Sequence, residues 1–164
     1  MAALWATRTV RQPQGQSFYR LLTFAGFLLL IDPRRRPPLW HIGLAWQWAM
    51  VGLTVLGFCF CWWARLHIGK LWSASITRKQ DHRVVDSGPY GLVRHPIYTG
   101  LILSGFASAV VRGTLVSVAG ALLLVLAWYI KARLEERFLR AELGAEAYNV
   151  YAARVPMLIP FLKI

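Results

Sequence analysis

Two short stretches of this 164-residue chain hold the side chains that can do chemistry. The first covers residues 86–100 and reads Asp-Ser-Gly-Pro-Tyr-Gly-Leu-Val-Arg-His-Pro-Ile-Tyr-Thr-Gly. Gly88-Pro89 is a turn signal. Arg94 and His95 stand directly before Pro96, a residue suited to the first turn of a helix. The free backbone N–H groups of a helix start favour an anion. Arg94 adds a fixed positive charge, and His95 and Tyr98 add hydrogen-bonding groups. The segment therefore reads as a seat for a carboxylate or phosphate, or as a helix end anchored among lipid headgroups, where Arg, His and Tyr are common. The second stretch is Glu135-Glu136. Adjacent helical residues diverge by about 100°, so one carboxylate can face inward while its neighbour pairs with a base. An inward carboxylate suits an ammonium or sulfonium. A solvated face with Glu135–Lys131 and Glu136–Arg140 pairs at the i, i+4 spacing is the plainer reading of each residue taken singly.

The elements around these stretches are apolar. Hydrophobic residues make up 57% of the chain and charged residues 16%, where a soluble domain usually carries about a quarter charged. The apolar residues fall in blocks at 18–31, 39–66, 97–111 and 114–130. The first is short, since about 20 residues cross the hydrocarbon, and tilt or interfacial Tyr19 and Arg20 would make up the difference. It stops at Asp32-Pro33, before Arg34, Arg35, Arg36, Pro37 and Pro38. The second carries Trp40, Trp46 and Trp48 toward one end and Trp62 and Trp63 toward the other, the aromatic pattern of a span. Its cysteines, Cys59 and Cys61, point to opposite faces and read as small apolar side chains. The longest polar stretch is 67–96. Only Arg112-Gly113 separates the third and fourth blocks, which predicts an antiparallel hairpin. Gly100, Ser104, Gly105 and Ser108 give the third helix a small face for close packing. The fourth block continues as a helix former until Gly144.

If the hairpin closes, the start of helix three and the far end of helix four are neighbours. An anion site would then face a cation site, as a zwitterionic amino-acid moiety requires. The expected fold is all-α, with about four transmembrane helices, a C-terminal helical hairpin and a cytosolic tail. Residues 1–16 read as an N-terminal cytosolic segment without a secretory signal, and 17–164 as one membrane domain. Four spans put 15 of the 19 Lys and Arg residues on the side of the termini and the 67–96 loop. The positive-inside rule makes that side cytoplasmic. Arg34, Arg35 and Arg36 run against the rule. The net charge of +12 sits beside apolar blocks, which favours anionic lipid over nucleic acid.

The run GPYGLVRHPIYTG, the later Glu135-Glu136 and the ending Tyr148-x-x-Tyr151-x-x-x-Val155-Pro156-x-x-Ile159-Pro160 resemble the C-terminal half of isoprenylcysteine carboxyl methyltransferases. Phospholipid N-methyltransferases share the Arg-His-Pro and Glu-Glu elements. Leu71-Trp72-Ser73 and His82 also fit the pattern, and the resemblance covers about residues 69–160. It implies S-adenosylmethionine bound between the last two spans and the tail, with no metal, and an acceptor that is a lipophilic small molecule or lipidated substrate. Gly88, Pro89 and Tyr90 would shape the loop over the cofactor. Arg94, His95 and Tyr98 would hold its amino-acid or ribose portion, and Glu135 or Glu136 its ammonium. Tyr148, Tyr151 and Arg154 would close the site. Arg154 and Glu136 are the candidate catalytic contacts, Arg154 orienting an acceptor carboxylate. The resemblance thus predicts a multi-pass membrane methyltransferase whose site faces the cytoplasm. Two other readings share the layout: an NADPH-dependent membrane reductase of the steroid reductase type, and a non-catalytic membrane or lipid-binding subunit.

Overall fold

A computed structural model describes residues 16–32, 34, 36–69 and 85–162, so Leu71, Trp72, Ser73, His82 and the segment 1–15 lie outside it. Among the described residues every regular element is helical: α1 (Gln16–Ile31), α2 (Leu44–Ile68), α3 (Pro89–Leu92), α4 (Pro96–Arg112), α5 (Leu115–Leu143) and α6 (Ala145–Arg154). Two of them, α2 and α5, are long and apolar enough to cross a membrane, while α1 and α4 are shorter apolar helices. On α2 the apolar side chains Trp46, Trp48, Val55, Phe58, Trp62 and Leu66 are exposed. An uncovered apolar face of that extent is stable only against lipid or a partner.

The helices pack in the order α2, α4, α5, α1. Each outer seam is made by small residues. Gly57 of α2 lies against Gly100 and Ser104 of α4, so closely that a Cβ on either glycine would overlap backbone of the other helix. Ser104 Oγ donates to the Thr54 carbonyl at 3.1 Å, and Cys61 Sγ to that of Ile97 at 3.2 Å. Close backbone approach of this kind replaces the hydrophobic drive that lipid removes. The α1–α5 seam is similar: a Cβ on Gly120 would meet the Gly26 carbonyl oxygen at 2.7 Å. Leu30 also lies at Gly120, and Tyr19 at Lys131, so α1 runs antiparallel to α5.

The expected hairpin is present. Gly113 closes α4 in the left-handed region (φ 65°), where glycine carries no Cβ penalty. The Trp40 carbonyl also sits where its Cβ would be. Thr114 then caps α5 by accepting from Ser117 N at 3.1 Å, which satisfies one orphan donor of the helix start. One boundary differs from expectation. The second apolar block begins at 39, but α2 begins at Leu44. Residues 39–43 cross the hairpin turn instead: Leu39 N donates to the Gly113 carbonyl at 2.8 Å and Trp40 Nε1 to that of Val110 at 3.1 Å. At the same end Arg36 pairs with buried Asp32 at 2.9 Å, and Arg112 donates to the Asp32 carbonyl at 2.8 Å. Arg36, one of the three residues that run against the charge rule, is thus spent on a local contact.

Candidate functional site

The chemistry-bearing residues meet at the end of the hairpin where α4 begins. Gly88, at φ 57°, turns the chain into α3, and a Cβ there would strike the His67 ring. His67 Nε2 lies 3.0 Å from Ser87 Oγ, and its ring stacks on buried Tyr90 at 6.4 Å between centroids. Pro89 opens α3. The tail then clamps the start of α4. Arg94 N donates to the Pro156 carbonyl at 2.8 Å, His95 N to Met157 at 3.1 Å, and Thr99 Oγ1 to Leu158 at 2.6 Å.

The anion met by the basic helix start is the chain's own. Arg94 Nε donates to Glu136 Oε1 at 2.7 Å, and the same guanidinium reaches the Ala152 and Val155 carbonyls at 2.9 and 2.6 Å through Nη1. Glu136 is wholly buried at 0% exposure, and Arg140 approaches its other oxygen at 3.3 Å. Glu135 faces differently. It accepts from the Tyr98 hydroxyl at 2.7 Å and lies 3.8 Å from Lys131, with its side chain one-fifth exposed. The divergence expected of adjacent residues is therefore realised. Both i, i+4 pairs also form, so inward orientation and base pairing coexist.

His95 joins the two carboxylates. Its ring stacks on Tyr98 at 5.4 Å, with Nδ1 3.7 Å from Glu135 and Nε2 3.4 Å from Glu136. The residue is 7% exposed, and among the described residues Nε2 has no aligned hydrogen-bond partner. A buried ring nitrogen without a partner is costly in a finished core. Such an atom, beside a part-exposed carboxylate and aromatic faces, fits a polar cationic ligand such as S-adenosylmethionine.

Tyr148 and Tyr151 line the α6 side, edge to face at 5.9 Å between ring centroids. Arg140 lies over the Tyr148 ring at 5.0 Å, and the Tyr151 hydroxyl donates to the Tyr90 carbonyl at 2.7 Å. Burial raises the phenols of Tyr90, Tyr148 and Tyr151, with Glu135 adding to the rise at Tyr90 and Glu136 at Tyr148. All three stay neutral donors at ordinary pH. Arg154 lies outside this buried group: it is exposed and pairs with exposed Asp86 at 3.3 Å. Among the described residues no group of three or more His, Cys, Asp or Glu could hold a metal ion.

Sequence reasoning missed Tyr19 of α1, which the fold brings beside Lys131, and Gln16 one turn before it. No spacing signal connects residues so distant in sequence, and only the α1–α5 seam does.

Fold and site together define an all-helical membrane protein with a buried polar cluster at one end of a helical hairpin. The model of the isoprenylcysteine carboxyl methyltransferase (ICMT) family matches residues 50–141, and the chain belongs to that family. The cobalt-zinc-cadmium resistance protein CzcN of Cupriavidus metallidurans is 32% identical over 99 residues, 59% of this chain and 45% of that protein. Protein-S-isoprenylcysteine O-methyltransferase B of Arabidopsis thaliana is 29% identical over 89 residues, 54% of this chain and 45% of that one. The protein-S-isoprenylcysteine O-methyltransferase of Schizosaccharomyces pombe is 30% identical over 121 residues, 71% of this chain and 50% of that enzyme. The chain spans about half the length of the curated relatives it matches.

Proposed function

We propose that this protein is an S-adenosylmethionine-dependent methyltransferase of a lipophilic acceptor, a four-span protein working at the cytosolic face of the membrane. The observation that carries the reading is the burial of His95 against the Glu135-Glu136 pair, with Nε2 lacking an aligned hydrogen-bond partner among the described residues. Two of the relatives bear the name of isoprenylcysteine O-methyltransferases, which supports a prenylated carboxylate as acceptor.

When bound, S-adenosylmethionine supplies an electrophilic methyl group on a sulfonium, which an in-line nucleophile displaces without a metal. The protein's tasks are then alignment and exclusion of water. Glu135, the more open carboxylate, holds the ligand's positive ammonium. His95 Nε2 hydrogen-bonds its polar end, and Tyr98 fixes Glu135 by donating to it. Glu136 acts through Arg94, holding it in place. Gly88, Pro89 and Tyr90 form the loop over the ligand, and Tyr148 and Tyr151 keep water out from the α6 side. Arg154, at the rim, orients the acceptor carboxylate. That group is ionised at neutral pH and needs no general base.

Calorimetric titration of the detergent-purified protein tests the cofactor. Wild type should bind S-adenosylmethionine, and a concentration about 100 times Kd should add about 2.7 kcal/mol of stability, with no comparable protection by NADPH. His95→Ala should weaken binding at least about tenfold, the scale of one lost hydrogen bond to a charged group, while the protein still inserts. Labelled methyl should pass from the cofactor into a lipid or prenylcysteine acceptor. Protection by NADPH alone, or unchanged affinity in His95→Ala, would overturn the assignment.

A further inference from the structure

The polar cluster does not end at the hairpin. Lys131 of α5 places its ammonium over two rings at once, 5.1 Å from the Tyr98 centroid and 5.7 Å from the Tyr19 centroid. Tyr98 leads back through its stacking on His95 to the proposed cofactor site. Tyr19 leads outward to α1, which lies outside the family match at 50–141. Tyr19 and Gln16 are each only 4% exposed, yet among the described residues the Tyr19 hydroxyl and Gln16 Nε2 have no hydrogen-bond partner. The other end of the Gln16 amide is used, since Oε1 accepts from Arg20 at 3.1 Å. Nε2 is therefore a donor without an acceptor. Two such groups one helical turn apart, the first of them beside the Lys131 ammonium and the second beside Arg20, are expensive unless something with oxygen lone pairs meets them.

We infer that α1 supplies the acceptor side of the site: the Tyr19 hydroxyl and Gln16 amide hydrogen-bond the oxygens of the methyl acceptor and aim them at the methyl donor. The inference rests on the methyltransferase reading above. Donors together with an ammonium suit an anionic oxygen and repel a protonated amine. The approach route agrees with this chemistry. Phe18, Leu21 and Phe24 of the same helix are exposed apolar side chains, so an acceptor's hydrocarbon tail can lie along α1 in the bilayer while its head reaches Tyr19. In the reaction the acceptor oxygen forms a bond to the methyl carbon as the carbon–sulfur bond breaks. The electron pair stays on sulfur, and no proton is released from an ionised carboxylate.

Tyr19→Phe and Gln16→Leu test this in the full chain. The acceptors are N-acetyl-S-farnesylcysteine and a total-lipid extract, read by labelled-methyl transfer. Each variant should lower kcat/KM for the acceptor about tenfold, while calorimetric affinity for S-adenosylmethionine stays within about twofold of wild type. A purely structural role predicts the opposite pattern: removing an unpaired buried hydroxyl would leave kinetics alone and raise the unfolding midpoint. Transfer by wild type with unchanged kinetics in both variants overturns the inference and leaves the methyltransferase reading standing. Loss of cofactor affinity in step with kcat/KM moves these residues to the donor side and also overturns it. Absence of cofactor binding or of transfer by wild type removes the methyltransferase reading, and the inference falls with it.

Discussion

Glu136→Ala should be among the most destabilising single substitutions in this protein, lowering unfolding free energy by about 3–5 kcal/mol, the cost of removing one partner of a buried ion pair. Glu136 is fully buried, and the Arg94 side chain that faces it is 8% exposed. The alanine variant would leave that guanidinium without its carboxylate in a place water scarcely reaches. Its bonds to the Ala152 and Val155 carbonyls remain, which offsets part of the cost. The consequence is not confined to stability. Arg94 ties α4, α5 and the tail together, so cofactor affinity should fall along with the midpoint. A double-mutant cycle with Arg94→Met identifies the cause. If the cost is an unpaired charge, the double variant loses less than the sum of the singles by about 0.5–3 kcal/mol, the usual coupling of contacting residues. A Glu136→Ala midpoint corresponding to less than about 1 kcal/mol would mean that the pair is hydrated and the site open.

Gly100→Leu should do comparable damage by a different route. A Cβ at Gly100 would overlap the Gly57 carbonyl and lie 2.6 Å from Cys61 Sγ. Leucine would have to push α2 off α4 altogether, and even alanine forces a backbone shift of the kind that costs about 1–3 kcal/mol. Because α4 starts with the His95-Pro96 step, moving it also moves His95 against the glutamates. The expected result is a sharp loss of monodisperse protein in detergent, with residual folded material unable to bind cofactor. Gly52→Ala is the matched control. It lies on α2, the helix against which Gly100 packs, and nothing stands within 4 Å of a Cβ there. Alanine at Gly52 should be neutral or stabilising by up to about 1 kcal/mol, the helix-propensity difference. Equal behaviour of the two variants would show that α2 and α4 do not need contact at this seam.

Much of the architecture is legible in the chain before folding. Solvent choice is a matter of composition, and the apolar blocks mark α1, α2, α4 and α5 to within a few residues. The hairpin turn at Arg112-Gly113 follows from a two-residue gap between apolar runs, and Gly113 is the residue that a left-handed helix end prefers. The motif residues are equally visible, because Arg94-His95-Pro96 and Glu135-Glu136 are contiguous in sequence. Even the different orientations of the two glutamates follow from helical geometry.

Partner choice was not legible, and here packing decided. The expectation placed an anion site opposite a cation site with a ligand between them. Packing instead closes Arg94 directly onto Glu136, and leaves Glu135 and the His95 ring as the groups available to the proposed ligand. Val155-Pro156-Met157 reads as a simple tail, yet its carbonyls clamp the start of α4. Trp40 reads as the first ring of a span and instead spans the hairpin turn. Tyr19 and Gln16 join the cluster only because Gly26 and Gly120 let α1 approach α5. Periodicity, charge and turn chemistry act over a few residues, so one chain of letters determines helices and their ends. Which carboxylate meets which base across tens of residues depends on how closely backbones approach, and that is decided by small residues whose effect exists only once the helices are packed.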